Sequence, residues 1–209
     1  MTQYMVRQCE NTDCGMRIPD DLDHLLFSYC PHCGAKMVVS DRYPNSDKDS
    51  QKPSFQNHQK IFLVLDNIRS AYNVGSILRS AEGFGVEKIF LCGICPTPQN
   101  LKTKKTSLGS ENSVSWEYSR NVILIISRMK IKGYYIFGLE SGIGGKPIHE
   151  ASLSLEKPIV LVCGNEVSGI DPGVLSLCDE ILEIPMQGIK RSFNVTIAVG
   201  IALFFFRYS

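Results

Sequence analysis

The larger part of this sequence predicts an α/β fold, a parallel sheet covered by helices on both faces, preceded by a small cysteine-bearing unit. Three observations carry the prediction. Short continuous apolar runs recur between residues 61 and 184, and they alternate with segments that read as helices, of which residues 73–84 have their apolar residues spaced for one helix face. The first 40 residues show neither pattern and hold two cysteine pairs instead. The composition supports a folded chain, since 44% of the 209 residues are hydrophobic and glycine and proline number 17 and 10, which excludes a disordered or low-complexity protein. With 22 basic against 21 acidic side chains the net charge is +1, so binding to nucleic acid through bulk charge is excluded and only a local basic patch remains.

The cysteine unit comes first. Cys9 and Cys14 are followed by Cys30-Pro31-His32-Cys33-Gly34, two short-spaced pairs that can offer four thiolates to a tetrahedral Zn2+. In the second pair proline and glycine make the tight turn that lets both sulfurs point at one ion, and Gly15 gives the first pair the same relief. In a reducing cytosol such clustered pairs favour a metal over disulfides. The expectation is a structural zinc ribbon over residues 1–40, stabilised directly by its metal. A redox pair, or a site that recruits His32 or His24, is the alternative. Residues 1–60 carry seven basic and eight acidic side chains, so charge does not decide whether the ribbon touches nucleic acid or only holds the chain in place.

Residues 41–60 are polar, contain Pro44 and Pro53, and read as a linker. Residues 61–209 then form one α/β domain. Residues 61–65 are a buried strand closed by Asp66, and residues 73–84 place Val74, Ile77, Leu78 and Ala81 on one helix face. Strands are expected at 88–92, 134–139, 159–163 and 181–184, and helices at 122–129 and 195–206. Asp171-Pro172 opens a short helix, with Asp as N-cap and Pro at the first helical position. The apolar stretch at 195–206, interrupted by Thr196 and Gly200, is about a dozen residues, short of the roughly 20 that a membrane span needs. Residues 1–10 lack the apolar region of a secretory signal. The expected setting is a soluble, cytoplasmic protein.

Ligands of such sheets bind at the carboxyl ends of strands, and there the unusual polar residues fall. Asn67, Arg69, Asn73 and Arg79 follow the first strand, Gly164-Asn165-Glu166 follows the strand at 159–163, and residues 185–194 follow the last. No P-loop and no G-x-G-x-x-G is present. The glycine-rich run at 141–145 leads to Lys146-Pro147 rather than into a helix, and reads as a mobile loop. Cys92 and Cys95 sit at a strand end without a helix to lower a thiol pKa and read, like Cys163 and Cys178, as packing residues.

Three segments then stand out together. Asn73-Val-Gly75-Ser-Ile-Leu-Arg79-Ser-Ala, Val162-Cys-Gly164-Asn165-Glu166-Val-Ser-Gly169-Ile, and Ile184-Pro185-Met186-x-Gly188-x-x-x-Ser192-Phe193-Asn194-Val195-Thr196 resemble, in order and spacing, the three motifs of the SpoU (TrmH-type) RNA 2′-O-ribose methyltransferases of the SPOUT superfamily. Lys105-Thr-Ser-Leu-Gly109-Ser-Glu111 is also similar to that family. The resemblance covers residues 61–209. It implies S-adenosylmethionine as methyl donor, tRNA or rRNA as substrate, a C-terminal trefoil knot, and a homodimer with its active site at the interface. Carried over residue by residue, it implies catalytic roles for Asn73, Arg79, Glu166, Ser192 and Asn194. The cofactor would rest around Leu139, Gly164, Ile184, Met186 and Phe193.

These residue types suit the chemistry. Methylating a ribose 2′-hydroxyl needs its proton removed or polarised, its oxygen aligned and a neighbouring phosphate held. In the resemblance Arg79 is the base; an arginine with a pKa above 12 accepts protons poorly, and a fixed cation that binds phosphate and stabilises a developing alkoxide is the alternative. Asn73 orients a polar group or serves only as a helix N-cap, while Glu166 holds Arg79 or another partner in place. Ser192 can donate and accept, and Asn194 can orient without charge. The family usually reads Ser-Leu-Asn-Val-Ser where this chain has Ser192-Phe193-Asn194-Val195-Thr196, and the bulkier ring alters the wall offered to adenine. Lys102, Lys104, Lys105, Lys190 and Arg191 are candidates for an RNA surface that the ribbon enlarges. The rival readings are a catalytically silent knotted RNA-binding module and a zinc-ribbon adaptor whose second domain only dimerises.

Overall fold

Few apolar residues are available to the first unit, and hydrogen bonds and cysteines take their place. In the computed structural model, which describes residues 4–22, 24–44, 59–151, 153 and 156–209, the chain divides into two units, Met1–Ser54 and Phe55–Ser209. In the first, β1 (Tyr4–Cys9) pairs antiparallel with β2 (Arg17–Asp21) on one side and β3 (Met37–Arg42) on the other. Cys9, Cys30 and Met37 form its buried cluster. Buried Asp20 accepts from the N–H groups of Leu26 and Phe27 at 3.0 and 3.2 Å and pairs with Arg7 Nε at 3.1 Å, which ties the loop after β2 to β1. Most of the expected linker, residues 45–58, lies outside the described residues.

The second unit runs β4 (Ile61–Asp66), α1 (Ala71–Gly83), β5 (Lys88–Cys92), α2 (Leu101–Ser107), β6 (Ser115–Ser119), α3 (Val122–Ile131), β7 (Tyr135–Leu139), β8 (Lys146–Pro147), β9 (Ile159–Cys163), α4 (Pro172–Leu175), β10 (Glu180–Glu183) and α5 (Val195–Tyr208). All seven strands are parallel, in the order β6-β5-β4-β9-β7-β10-β8. The period of two splits the central strands between two cores. Leu63, Leu65 and Leu161 meet Val74, Ile77 and Leu78 of α1 and Val199, Ala202, Leu203 and Phe206 of α5. Val64, Val160 and Val162 meet Val122, Ile125 and Ile126 of α3 and Val174 of α4 on the other face. The sheet is therefore covered on both sides, as the apolar runs predict.

Helix starts differ from the sequence expectation in one case. Ser70 is the N-cap of α1, its Oγ accepting from Asn73 N at 3.3 Å, so Asn73 is inside the helix and is not its cap. Asp171 caps α4 as expected, with Gly173 N donating to Oδ1 at 2.7 Å. Helix α2, absent from the sequence reading, lies against α1 across Gly75, where a Cβ would stand 2.0 Å from Thr106 Oγ1 and 2.3 Å from the Thr103 carbonyl oxygen. Only glycine permits that approach, and it brings the exposed Lys102, Lys104 and Lys105 beside α1. Among the described residues no helix is long and apolar enough to cross a membrane.

Candidate functional site

At the carboxyl ends of β4 and β9 the polar residues are tied to one another. Asp66 is buried and accepts from Asn67 Nδ2 and from Asp171 N, both at 2.8 Å; burial pushes its carboxyl above the ordinary range. Asn67 takes the left-handed backbone, φ 57°, and its carbonyl accepts from Asn165 Nδ2 at 2.8 Å. Asn165 and Gly169 exchange two main-chain hydrogen bonds, 3.0 and 2.9 Å, in a turn so tight that a Cβ on Gly164 would stand 2.2 Å from the Gly169 carbonyl carbon.

Glu166 stands on this turn and reaches across to α1. Its carboxylate accepts from Arg69 N at 2.9 Å, Ser70 N at 3.1 Å and Asn73 Nδ2 at 2.9 Å, supplying a negative charge to the helix start, where free N–H groups and the macrodipole favour one. Burial raises its pKa, but the donated hydrogen bonds, that of Arg69 N–H foremost, outweigh burial and hold the carboxyl below its usual 4.5. A lowered folded pKa gives stability above the unfolded value that is lost as pH falls through the folded one. The melting-temperature gap between wild type and Glu166→Gln is therefore expected to be open at neutral pH, to narrow as pH falls below the usual 4.5 and to close once it passes the lowered folded value. A gap that persists in acid would show that ionised Glu166 is not what holds α1.

The sequence left Arg79 or another group as the partner of Glu166; the partners are Asn73 and two backbone N–H groups. Arg79 is exposed on α1, and no hydrogen bond or ion pair among the described residues engages it, Glu82 included. It lies six residues beyond Asn73, about 9 Å along the helix and about 120° round it.

A cavity of about 570 Å³ opens at the ends of β7, β9 and β10, in front of α5. That volume suits a small-molecule site. Leu139, Gly164, Ile184 and Phe193 line it, together with Glu166, Ser192 and Asn194. Met186, expected among them, is outside the lining, as are Asn73 and Arg79. Asn194 Oδ1 caps α5, accepting from Thr196 N at 2.8 Å and Thr196 Oγ1 at 2.7 Å, which leaves its amide N–H groups available. The lining also includes Asn165, one of the polar residues the sequence places after β9, and Glu140, Ser141 and Ile143, which the sequence does not single out for binding; a glutamate after a strand carries no signal of its own. The run at 141–145 thus forms part of the wall.

Of the cysteines of this unit, Cys163 lines the cavity, whereas Cys92, Cys95 and Cys178 are outside its lining. Cys95 Sγ accepts from Ile68 N at 3.1 Å and donates to the Leu65 carbonyl at 3.2 Å, and burial pushes the Cys92 and Cys95 thiols each up to about 12. Cys163 is buried and Cys178 half-buried. Lys190 and Arg191 are exposed just before the cavity-lining Ser192.

In the first unit the sulfurs of Cys9, Cys14, Cys30 and Cys33 all lie within 4.8 Å of one another. The Cys9–Cys33 and Cys14–Cys30 separations are 3.4 and 3.7 Å, near the ~3.8 Å edge of a tetrahedral site with 2.3 Å Zn–S bonds. Neither His24 nor His32 belongs to the cluster, although His32 Nδ1 lies 3.6 Å from Cys14 Sγ. The Cys33 N–H, and behind it that of His32, bring the Cys30 thiol down to about 6 against the opposing effect of burial, whereas burial pushes Cys9 up to about 12. A metal taking this site would displace the Cys9 proton.

Residues 60–204 match the model of the SpoU rRNA Methylase family. The 23S rRNA (guanosine-2'-O-)-methyltransferase RlmB of Vibrio parahaemolyticus is 30% identical over 149 residues, 71% of this chain and 59% of the relative. The AdoMet-bound rRNA methyltransferase from Sinorhizobium meliloti is similar with a TM-score of 0.66 at 25% identity, over 84% of this chain and 65% of that one. The A. aeolicus TrmH/SpoU tRNA modifying enzyme gives a TM-score of 0.64 at 25% identity, over 72% and 75%. The chain spans less than two thirds of the length of the first two.

Proposed function

Because the chain belongs to the SpoU rRNA methylase family, we propose that it transfers a methyl group from S-adenosylmethionine to a ribose 2′-hydroxyl of tRNA or rRNA. The cavity at the ends of β7, β9 and β10 carries this reading, with Glu166, Ser192 and Asn194 on its walls and Asn73 tied to Glu166. The residues fit such a donor. Leu139, Ile184 and Phe193 offer apolar walls to adenine, and the main chain at Gly164 forms part of the same lining. Bound there, the donor supplies an electrophilic methyl group.

The chain's own groups do the rest. Ser192 donates and accepts at one hydroxyl, and Asn194 offers amide donors because its oxygen is committed to α5. Glu166 and Asn73 fix the start of α1, and hence the helix that carries Arg79. The guanidinium fork of Arg79 suits a phosphate and a developing alkoxide.

In a single chain Arg79 stands outside the cavity, so a second copy brings it there. Helix α5 begins at the cavity with Asn194 and turns an apolar stripe outward, Ile197, Ile201, Phe204 and Tyr208, with Ile197 52% and Phe204 59% exposed. We read this stripe as the homodimer face. Phe204→Glu is expected to sediment as a monomer, bind the donor in calorimetry and transfer no methyl group; an active monomer would refute the shared site.

The same reading includes a zinc ribbon at residues 1–40, a linker at 41–60, a knotted methyltransferase domain at 61–209 and a cytoplasmic location. RNA contact through Lys102, Lys104, Lys105, Lys190 and Arg191 is supported by their exposure. Donor binding separates the reading from an adaptor, and labelled transfer to total tRNA or rRNA separates it from a silent binding module.

A further inference from the structure

The charge of the cavity carries an inference that rests on the methyltransferase reading and deepens it. Among the described residues its lining holds two carboxylates, Glu140 and Glu166, and no lysine, arginine or histidine. Glu166 is committed to the start of α1. Glu140 follows β7 directly, is half-buried, and has its oxygens fixed by Ser141 N at 3.1 Å and Ile170 N at 2.8 Å. Each oxygen keeps further acceptor capacity. A Cβ on Gly169 would stand 2.4 Å from Glu140 Oε2, so the carboxylate is wedged against the main chain of the 164–170 turn. It is a fixed negative charge in the wall of a partly enclosed site.

We propose that Glu140 makes the cavity selective for a cationic adenosyl ligand, holding S-adenosylmethionine in preference to its neutral product S-adenosylhomocysteine. Methyl transfer breaks the S–CH3 bond, forms the O2′–CH3 bond, leaves the electron pair on sulfur and releases the O2′ proton. The ligand therefore loses one positive charge while the charge of Glu140 stays. For one unit charge across several ångströms at an effective dielectric near 20, the affinity difference is about tenfold or more, and it shrinks as salt screens it. Product then leaves more readily than donor.

The test is calorimetry on the full chain with S-adenosylmethionine, S-adenosylhomocysteine and sinefungin, which carries an ammonium group in place of the methylated sulfonium. Wild type is expected to bind the two cationic ligands about tenfold more tightly than the neutral one, less so at high salt. Glu140→Gln is expected to lose most of that preference, the charge of Glu166 remaining in the lining, with S-adenosylhomocysteine affinity within about twofold of wild type, and Glu140→Asp to retain a preference because it keeps the charge. Equal weakening of all three ligands in Glu140→Gln would overturn the proposal and leave Glu140 a role in holding the turn or ribose hydroxyls. Wild type without a preference overturns it too, and that comparison needs no variant to fold. Wild type that binds none of the three overturns the methyltransferase reading itself and this proposal with it.

Discussion

Arg79→Ala is expected to bind S-adenosylmethionine as wild type does while turnover falls by about 10²- to 10³-fold, the usual cost of removing one preorganised group that stabilises a developing anion. Unchanged binding follows from the geometry, because Arg79 is exposed on α1 and absent from the cavity lining. The loss of turnover follows from the proposed dimer, in which the guanidinium arrives from the second copy. Arg79→Lys keeps the charge but not the fork and should recover only part of the rate. Single-turnover kinetics with labelled donor, beside calorimetry, separate the two steps. Wild-type turnover in Arg79→Ala would remove Arg79 from the mechanism, and lost donor affinity would move it into the donor site.

Cys30→Ser is expected to abolish metal binding and unfold the first unit while leaving the second intact. The buried cluster of that unit contains Cys9, Cys30 and Met37, too little apolar surface to fold alone, so a metal bound by the four cysteines would contribute folding energy directly. Cys30 is the telling position because the Cys33 and His32 N–H groups already favour its thiolate. Protein purified without added zinc should hold about one Zn2+ per chain, and the variant none. Limited proteolysis should then cut within residues 1–44 of the variant, while the Phe55–Ser209 unit, with its own two cores, keeps its melting transition. A metal-free wild type with an ordered ribbon would refute the zinc assignment.

What could be read from the sequence was what periodicity and burial control. The strands β4 and β9 are buried on both faces, so their runs are apolar throughout; α1 shows one apolar face, whereas α3 and α5 are legible as long apolar segments of helical length. Strand β6 was missed because it is an edge strand with half-buried and exposed residues, and β8 because two residues have no period. Helix α2 is short and lysine-rich, and its docking depends on the absence of a side chain at Gly75, which no pattern on α2 itself records. Apolar spacing starts α1 at residue 73, with an N-cap role for Asn73 as the alternative to orienting a polar group; Ser70 is the cap, and the Asn73 amide donates to Glu166. At the site, the resemblance selected Glu166, Ser192 and Asn194, and Leu139, Gly164, Ile184 and Phe193, all of which line one cavity. It could not say that Glu166 would bind the helix start rather than Arg79, or that Met186 would fall outside, since both depend on where side chains end rather than where they occur in the chain. Glu140 had no signal because its partners are backbone N–H groups 1 and 30 residues away.

Ribose methylation is measured directly by incubating the full chain with methyl-labelled S-adenosylmethionine and total tRNA or rRNA, followed by digestion to nucleosides. Label is expected in a 2′-O-methylated nucleoside with wild type, and at a rate about 10²- to 10³-fold lower with Arg79→Ala. Protein that binds the donor yet places no label on ribose, or places it on a base, would contradict it.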